Sequence, residues 1–322
     1  MCTAARFESK DHYFGRNFDY EISYNERVTL TPRNYKLDFK NEDSLDNHHA
    51  ILGITAGIDS YPLYYDAFNE KGLAMAGLNF DGYAEYSEKT ESSKTNLAEF
   101  EFIPFILGKC DNVDQAYDII KNLNMLNTSF NETLPVSPLH WMVADKNRSI
   151  VVEYTKDGLT IFDNPVDILT NNPTFDMQLF NLNNYIHVSN KNATNHFTKD
   201  YPLLDYSRGM GGLGLPGDYS SMSRFVKAVF VSQNSIANDD EVSSVNQFFH
   251  ILNSVEQPKG ATLVSSDNYE YTIYSSCMNL DKGILYYRTY DNLAINGIDF
   301  DSYDLDEDKL INIELKNRSL IN

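Results

Sequence analysis

The chain has 322 residues, 42% of them apolar, and sets 26 Lys and Arg against 46 Asp and Glu for a formal net charge of −20. That length and apolar content allow one large or two ordinary domains around a substantial core. The acidic balance excludes the basic footprint of a nucleic-acid binder and disfavours docking on anionic membranes.

No stretch approaches the ~20 apolar residues of a transmembrane helix. Arg6, Glu8, Lys10 and Asp11 stand where a secretory signal would place its apolar run, so a cytoplasmic location is expected. Strands are predicted at residues 3–9 and 12–18, two more short ones at 26–39 around Pro32, and further ones at 49–57 and 72–80, the last behind the turn Asn69-Glu70-Lys71-Gly72. The period then changes. Asn112, with Gln115 three residues on, reads as a helix start, and Val113, Ala116, Ile120 and Leu123 follow at helical spacing. "HWMVAD", "SIVVEYT" and "GLTIF", separated by "KNR" and "KDG", predict a β-meander. Residues 173–186 read as helical. A helix is expected from Ser220–Ser221 and another from about Asp240, the latter with Val245, Phe248, Phe249, Leu252 and Val255 on one face. Residues 270–300 return to strands. Strands, helix, strands, helices, strands make an α+β order, with no linker or repeat to divide it.

Gly209-Met210-Gly211-Gly212-Leu213-Gly214 matches the dinucleotide fingerprint by letter. It follows "PLLDYSR" and precedes Pro216-Gly217, whereas that fingerprint needs a strand before it and a helix after it. A loop is the better reading. The seven histidines make neither HExxH nor an i,i+4 helical pair, so surface or packing roles are expected. Cys2, Cys110 and Cys277 are odd in number and lack metal-ligand spacing, so neither a disulfide framework nor a zinc site is expected. Cys110 and Cys277 read as buried structural thiols.

Cys2 is different. Taken alone it is an ordinary residue at a terminus, though a free thiol there invites oxidation. With Met1 removed, it would carry both a thiol and an α-amine. An α-amine has a pKa of about 7.7–8.0, so a useful fraction is neutral near pH 7 and able to act as a base. Nucleophile and base then belong to one residue, and no histidine is needed. Arg16 and Asp19, in the strand expected to pair with residues 3–9, supply charges to tune thiol and amine. Without Cys2 beside them they would read as a surface ion pair.

"MCTAARF" followed by "YFGRNFDYE" (13–21) resembles the start of the choloylglycine hydrolase family, the bile salt hydrolases and penicillin V acylases of the N-terminal-nucleophile hydrolases. "NEKGLAMAGLNF" (69–80), "LHWMVADKNRSIVVE" (139–153), "ILTNNPTFD" (168–176), "LPGDYSSMSRF" (215–225), "FFHILNSVEQPKG" (248–260) and "YTIYSSCMNLDKGILYYRTYDN" (271–292) continue the likeness in order over essentially the whole chain. The resemblance implies an αββα four-layer sandwich forming a single domain over residues 2–322 after loss of Met1. It also implies a homotetramer and no metal or cofactor. It matches Cys2 to the nucleophile, Arg16 and Asp19 to the residues framing it, Asn171 to a side-chain oxyanion donor, Asn79 to a backbone one, and Arg224 to an active-site arginine. Composition and spacing single out neither Asn79 nor Asn171. The implied reaction is hydrolysis of glycine- or taurine-conjugated bile acids through a Cys2 thioester. The alternatives are a penicillin V acylase, a branch that tends to carry Tyr at the position of Asn79, and a catalytically silent binding protein. Tyr24, Tyr61 and Phe130, in loops near 20–27, 58–66 and 127–138, are candidates to line the pocket; ordinary packing explains them equally.

Overall fold

The computed structural model describes residues 1–318. Among these, two antiparallel sheets face each other. The first runs in the order Ile168–Leu169, Cys2–Glu8, His12–Tyr20, Asn268–Asn279, Ile284–Thr289, Asn292–Asp299, with Thr262–Ser265 paired beside Asn268–Asn279. The second runs Gly158–Asp163, Ser149–Thr155, Leu139–Ala144, Ala74–Asn79, Tyr64–Asn69, Ile51–Thr55, Arg27–Thr31, Ile311–Glu314. Its first three strands are the expected meander, paired through consecutive antiparallel turns.

Helices cover both outer faces and complete an αββα sandwich. Helices α1 (Glu99–Lys109) and α2 (Val113–Ile120) pack on the second sheet. Helix α3 (Phe175–Asn181), with α4 (Ser221–Gln233) and α5 (Glu241–Asn253), packs on the first. The capped starts read from the sequence are present: Asn112 accepts from the Gln115 N–H, and Asp240 from the Ser243 N–H. Helix α5 buries Val245, Phe248, Phe249 and Leu252 as its apolar stripe predicts. Two cores result, one shared by both sheets with α4 and α5, the other under α1 and α2 around Phe102, Ile106, Trp141 and Val143. No helix of the described residues is long and apolar enough to cross a membrane.

Two expectations fail locally, and one helix was not foreseen. Residues 26–39 hold one strand, Arg27–Thr31, not two. Pro32 lacks the N–H to continue the ladder, and Leu37 and Leu45 instead exchange backbone bonds that fold the segment back over α1. Leu123 does not extend α2; it begins the short strand Leu123–Leu126, paired with Thr95–Ala98. The whole of α1 escaped the sequence reading. It is buried on nearly every side and carries Pro104 inside, so neither amphipathic period nor uninterrupted helical composition announces it.

Candidate active site

Register brings the site together. Ala4 lies opposite Leu169 and Ala5 opposite Ile168, so extending the pairing by two residues sets Asn171 opposite Cys2. On the other side Cys2 faces Phe18, which places Asp19 beside the chain start. The Cys2 N–H donates to Asn171 Oδ1 at 2.8 Å, and Cys2 Sγ lies 4.0 Å from the Asp19 carbonyl oxygen. Met1 is present. Its ammonium donates to the Asp19 carbonyl at 2.8 Å and pairs with the Glu270 carboxylate.

Arg224 enters from the first turns of α4. Its Nη1 donates to the Cys2 carbonyl (2.5 Å) and Thr3 Oγ1 (2.7 Å), and its Nη2 donates to Asn171 Oδ1 (2.7 Å). Two donors thus hold the Asn171 carbonyl, and the amide nitrogen is turned outward, donating to the Asn79 carbonyl at 2.7 Å. Burial lowers the Arg224 pKa against the attraction of Asp19, Cys2 and Glu270, but a guanidinium starts so high that it keeps its charge. The Asn79 backbone follows from strand geometry. Phe80 N–H donates to the Pro138 carbonyl, so antiparallel alternation turns the Asn79 N–H to the opposite edge. The pairing with Tyr64–Asn69 has already ended there, at Asp66 opposite Ala76.

Arg16 fills the gap where those two strands part. Its Nη1 donates to the Gly77 carbonyl (2.5 Å) and the Tyr65 carbonyl (3.1 Å), while Nη2 is buried without a hydrogen bond. Burial disfavours the charge, yet Cys2, Tyr274, Asp66 and Asp19 more than offset this and hold the Arg16 pKa above its ordinary value. Asp66 accepts from Tyr274 and, at 2.6 Å, from Ser276 Oγ, which itself accepts the Arg16 N–H at 3.1 Å.

Asp19 is buried beside the chain start. Its carboxylate accepts from Thr272 Oγ1 (2.6 Å) and Gln257 Nε2 (3.2 Å), and it is the Asp19 main-chain carbonyl that meets the terminal amine. Glu270, Gln257, Asp66 and Gln178 were not singled out from the sequence. Gln178 ties α3 to the site by donating to the Asn171 carbonyl at 3.1 Å, and Ser221 Oγ accepts the Asn171 N–H at 2.9 Å. Burial raises the Glu270 pKa, opposed by the Met1 ammonium. Glu270, Gln257 and Asp66 meet partners more than 200 residues away, and Gln178, seven residues from Asn171, shows no pattern of its own, so no local signal marks these residues.

Cys2 and Arg16 open onto a cavity of about 340 Å³, walled mainly by apolar groups such as Phe18, Ile58, Leu63, Phe100, Ile103 and Leu134. Tyr24 and Phe130 line it as expected. Tyr61 does not. It is buried behind the wall, its ring against Phe100 and Phe130 with centroids 5.8 and 6.0 Å apart. Cys110 and Cys277 are buried and free, the former pushed up to about 12 by burial and the latter well above its usual value. Among the described residues, no three His, Cys, Asp or Glu side chains converge to hold a metal.

Glu99, the first residue of α1, also lines the cavity. Burial pushes its carboxyl from 4.5 up to about 7, against the pull of the Ser137, Phe100 and Glu99 backbone N–H groups. The folded state therefore binds more protons than the unfolded chain between these values, and stability is lost as pH rises through that window. Glu99→Gln should be more stable than wild type at pH 8 by at most about 3 kcal/mol and equal to it at pH 4. Paired urea melts test this; an equal difference at both pH values would refute it.

The model for linear amide C–N hydrolases of the choloylglycine hydrolase family matches residues 2–313. A protein named bile salt hydrolase/transferase from Lactiplantibacillus plantarum is 57% identical over 319 residues, covering 99% of this chain and 98% of that one. A crystal structure of a variant of conjugated bile acid hydrolase from Clostridium perfringens superposes with a TM-score of 0.92 at 37% identity, covering 100% of this chain and 99% of that one. A penicillin V acylase from Agrobacterium tumefaciens shares the fold, with a TM-score of 0.77 at 18% identity over 98% of this chain and 91% of that one.

Proposed function

The chain belongs to the choloylglycine hydrolase family of linear amide C–N hydrolases, and from that premise we propose that it hydrolyses glycine- or taurine-conjugated bile acids through a Cys2 thioester. One observation carries the reading: Cys2 opens onto a largely apolar cavity that Arg16 and Asn79 also line, and Asn171 is hydrogen-bonded to both the Cys2 nitrogen and the Asn79 carbonyl. The names of the relatives supply the substrate class.

Met1 is removed in the active form, a single domain of residues 2–322. As long as Met1 remains, the Cys2 nitrogen is a peptide N–H committed to Asn171. Once freed, the α-amine takes the thiol proton and the thiolate attacks the amide carbonyl. The Asn171 amide and the Asn79 N–H stabilise the oxyanion. The amine returns the proton to the leaving glycine or taurine nitrogen, and the C–N bond breaks. Water then attacks the thioester with the same amine as base, releasing the bile acid and restoring the thiol. Arg16, unpaired at Nη2 beside Cys2, and Arg224, which orients Asn171, hold the charges in place. Asn171 Oδ1, which already accepts from the Cys2 nitrogen, steadies the new ammonium, with the Asp19 carbonyl and Glu270, the acceptors of the Met1 amine, close by. The protein works in the cytoplasm as a homotetramer. Phe180, Ile186, Phe197, Leu204 and Tyr206, between 76% and 90% exposed on one stretch of chain, favour self-association. Light scattering on Phe197→Asp/Leu204→Asp should show smaller species, and an unchanged mass would count against that surface.

The deciding experiment measures amine release from glycocholate, taurocholate and penicillin V, with the intact mass determined in parallel. Bile salt turnover by a chain lacking Met1 is the expected result. Dominant penicillin V turnover would reassign the acyl group and keep the chemistry. No turnover by a processed chain would make it a binding protein.

A further inference from the structure

The cavity holds polar groups that amide chemistry at Cys2 does not use. Glu99 Oε1 accepts the Ser137 N–H at 3.1 Å, whereas Oε2 is buried without a hydrogen bond. Glu99 as a whole is 5% exposed. Trp141 Nε1, in the same lining, is buried and equally without a partner. Gly77 lies against it: a Cβ there would stand 3.1 Å from Nε1. The same lining includes the apolar side chains of Phe100, Ile103, Leu134, Val136 and Leu139.

A buried polar atom with no partner costs free energy in the folded state, and most such atoms in native proteins are paired. Besides Arg16 Nη2 at the Cys2 end, two such atoms belong to residues lining one ligand-sized cavity, and they mark the places where a ligand supplies what is missing. A sterol hydroxyl fits the chemistry, since it both donates and accepts.

We propose that Glu99 determines specificity for the acyl group, its Oε2 taking a hydrogen bond from a ring hydroxyl of the substrate, with Trp141 Nε1 as a donor in the same lining. This rests on the bile acid reading above and extends it from an apolar skeleton to a hydroxylated one. The raised pKa of the buried carboxyl suits the role, because near neutral pH a substantial fraction is uncharged and accepts an uncharged hydroxyl without burying an ion. Discrimination follows from the same physics: an analogue without that hydroxyl leaves Glu99 and its surroundings as they are in the empty cavity and gains less on binding.

The test compares kcat/KM for glycine conjugates of cholic, deoxycholic, chenodeoxycholic, lithocholic and 5β-cholanic acids, the last without any hydroxyl, in wild type, Glu99→Gln and Glu99→Leu. In the wild type, loss of one particular hydroxyl should cost about tenfold. Glu99→Gln, which still hydrogen-bonds, should keep that step, and Glu99→Leu should flatten it to under about threefold. A second readout needs no turnover. Trp141 is the only tryptophan in the chain and lines the cavity, so its fluorescence reports Kd for free cholate against 5β-cholanate in each variant. The same preference should appear in wild type and vanish in Glu99→Leu. An unchanged hydroxyl preference in Glu99→Leu, by rate and by fluorescence, would overturn the proposal and leave bile salt hydrolysis standing. Absence of wild-type turnover on every conjugate would overturn both.

Discussion

Replacing Cys2 by alanine is expected to reduce kcat/KM by about 10⁴-fold or more while the protein stays folded. The expected size follows from the double role proposed for the residue, nucleophile and, through its own nitrogen, base. The fold should survive because Cys2 is the first residue of its strand, and the one polar contact of its sulfur is long, 4.0 Å to the Asp19 carbonyl. Iodoacetamide should label the wild type once and the variant not at all, since burial raises the thiols of Cys110 and Cys277 far above the working pH. Blocking the removal of Met1 should be as damaging with the thiol intact, because the Cys2 nitrogen would remain a peptide donor to Asn171. Full activity with Met1 retained, confirmed by mass, would refute the role of the amine.

Asn171→Asp should cost 10²–10³-fold, roughly, in kcat with little change in KM. The substitution preserves shape and keeps an oxygen where Cys2 N–H and Arg224 Nη2 donate. It removes the amide N–H turned toward Asn79. A carboxylate there gains from Arg224 and from the new terminal ammonium, which offsets the lost bond to the Asn79 carbonyl, so the melting temperature should change little even as turnover collapses. That opposition separates an oxyanion donor from a packing residue. Near-normal kcat in Asn171→Asp, or a loss seen only in KM, would sink the assignment. Asn171→Leu should lose both activity and stability, because it leaves the buried Arg224 without one of its acceptors.

The chain start, the meander and the caps were legible because their codes are short in range. Cys2 and its α-amine are one residue, Asn112 and Asp240 cap helices within three residues, and alternation in 139–163 needs only neighbours. Arg16 and Asp19 were legible as partners of Cys2 because adjacent antiparallel strands joined by a short turn have only a few registers open to them. The resemblance to a family added Asn79, Asn171 and Arg224, which no local pattern distinguishes from the other asparagines and arginines of the chain.

Helix α1 lay beyond such reading because period reports a boundary between core and water, and α1 meets water along almost none of its length. Tyr61 and Glu99 show the same limit at the cavity. An aromatic side chain in a loop looks like a pocket wall, yet the folded chain turns Tyr61 behind Phe100 and Phe130. An acidic side chain looks like surface, yet Glu99 is drawn inward at the start of a buried helix.

The sequence by itself pointed to Cys2 as the proposed nucleophile, to the class of reaction a terminal amine there would permit and to most of the elements that carry it, since each depends on residues adjacent in the chain or one turn apart. Only the tertiary structure decided which charges are buried and what they face. Asp66 meets Tyr274 and Glu270 meets Met1 across separations of 208 and 269 residues. Whether a carboxyl stands in water or against a guanidinium is a property of the low-dielectric space that the packed sheets and helices enclose.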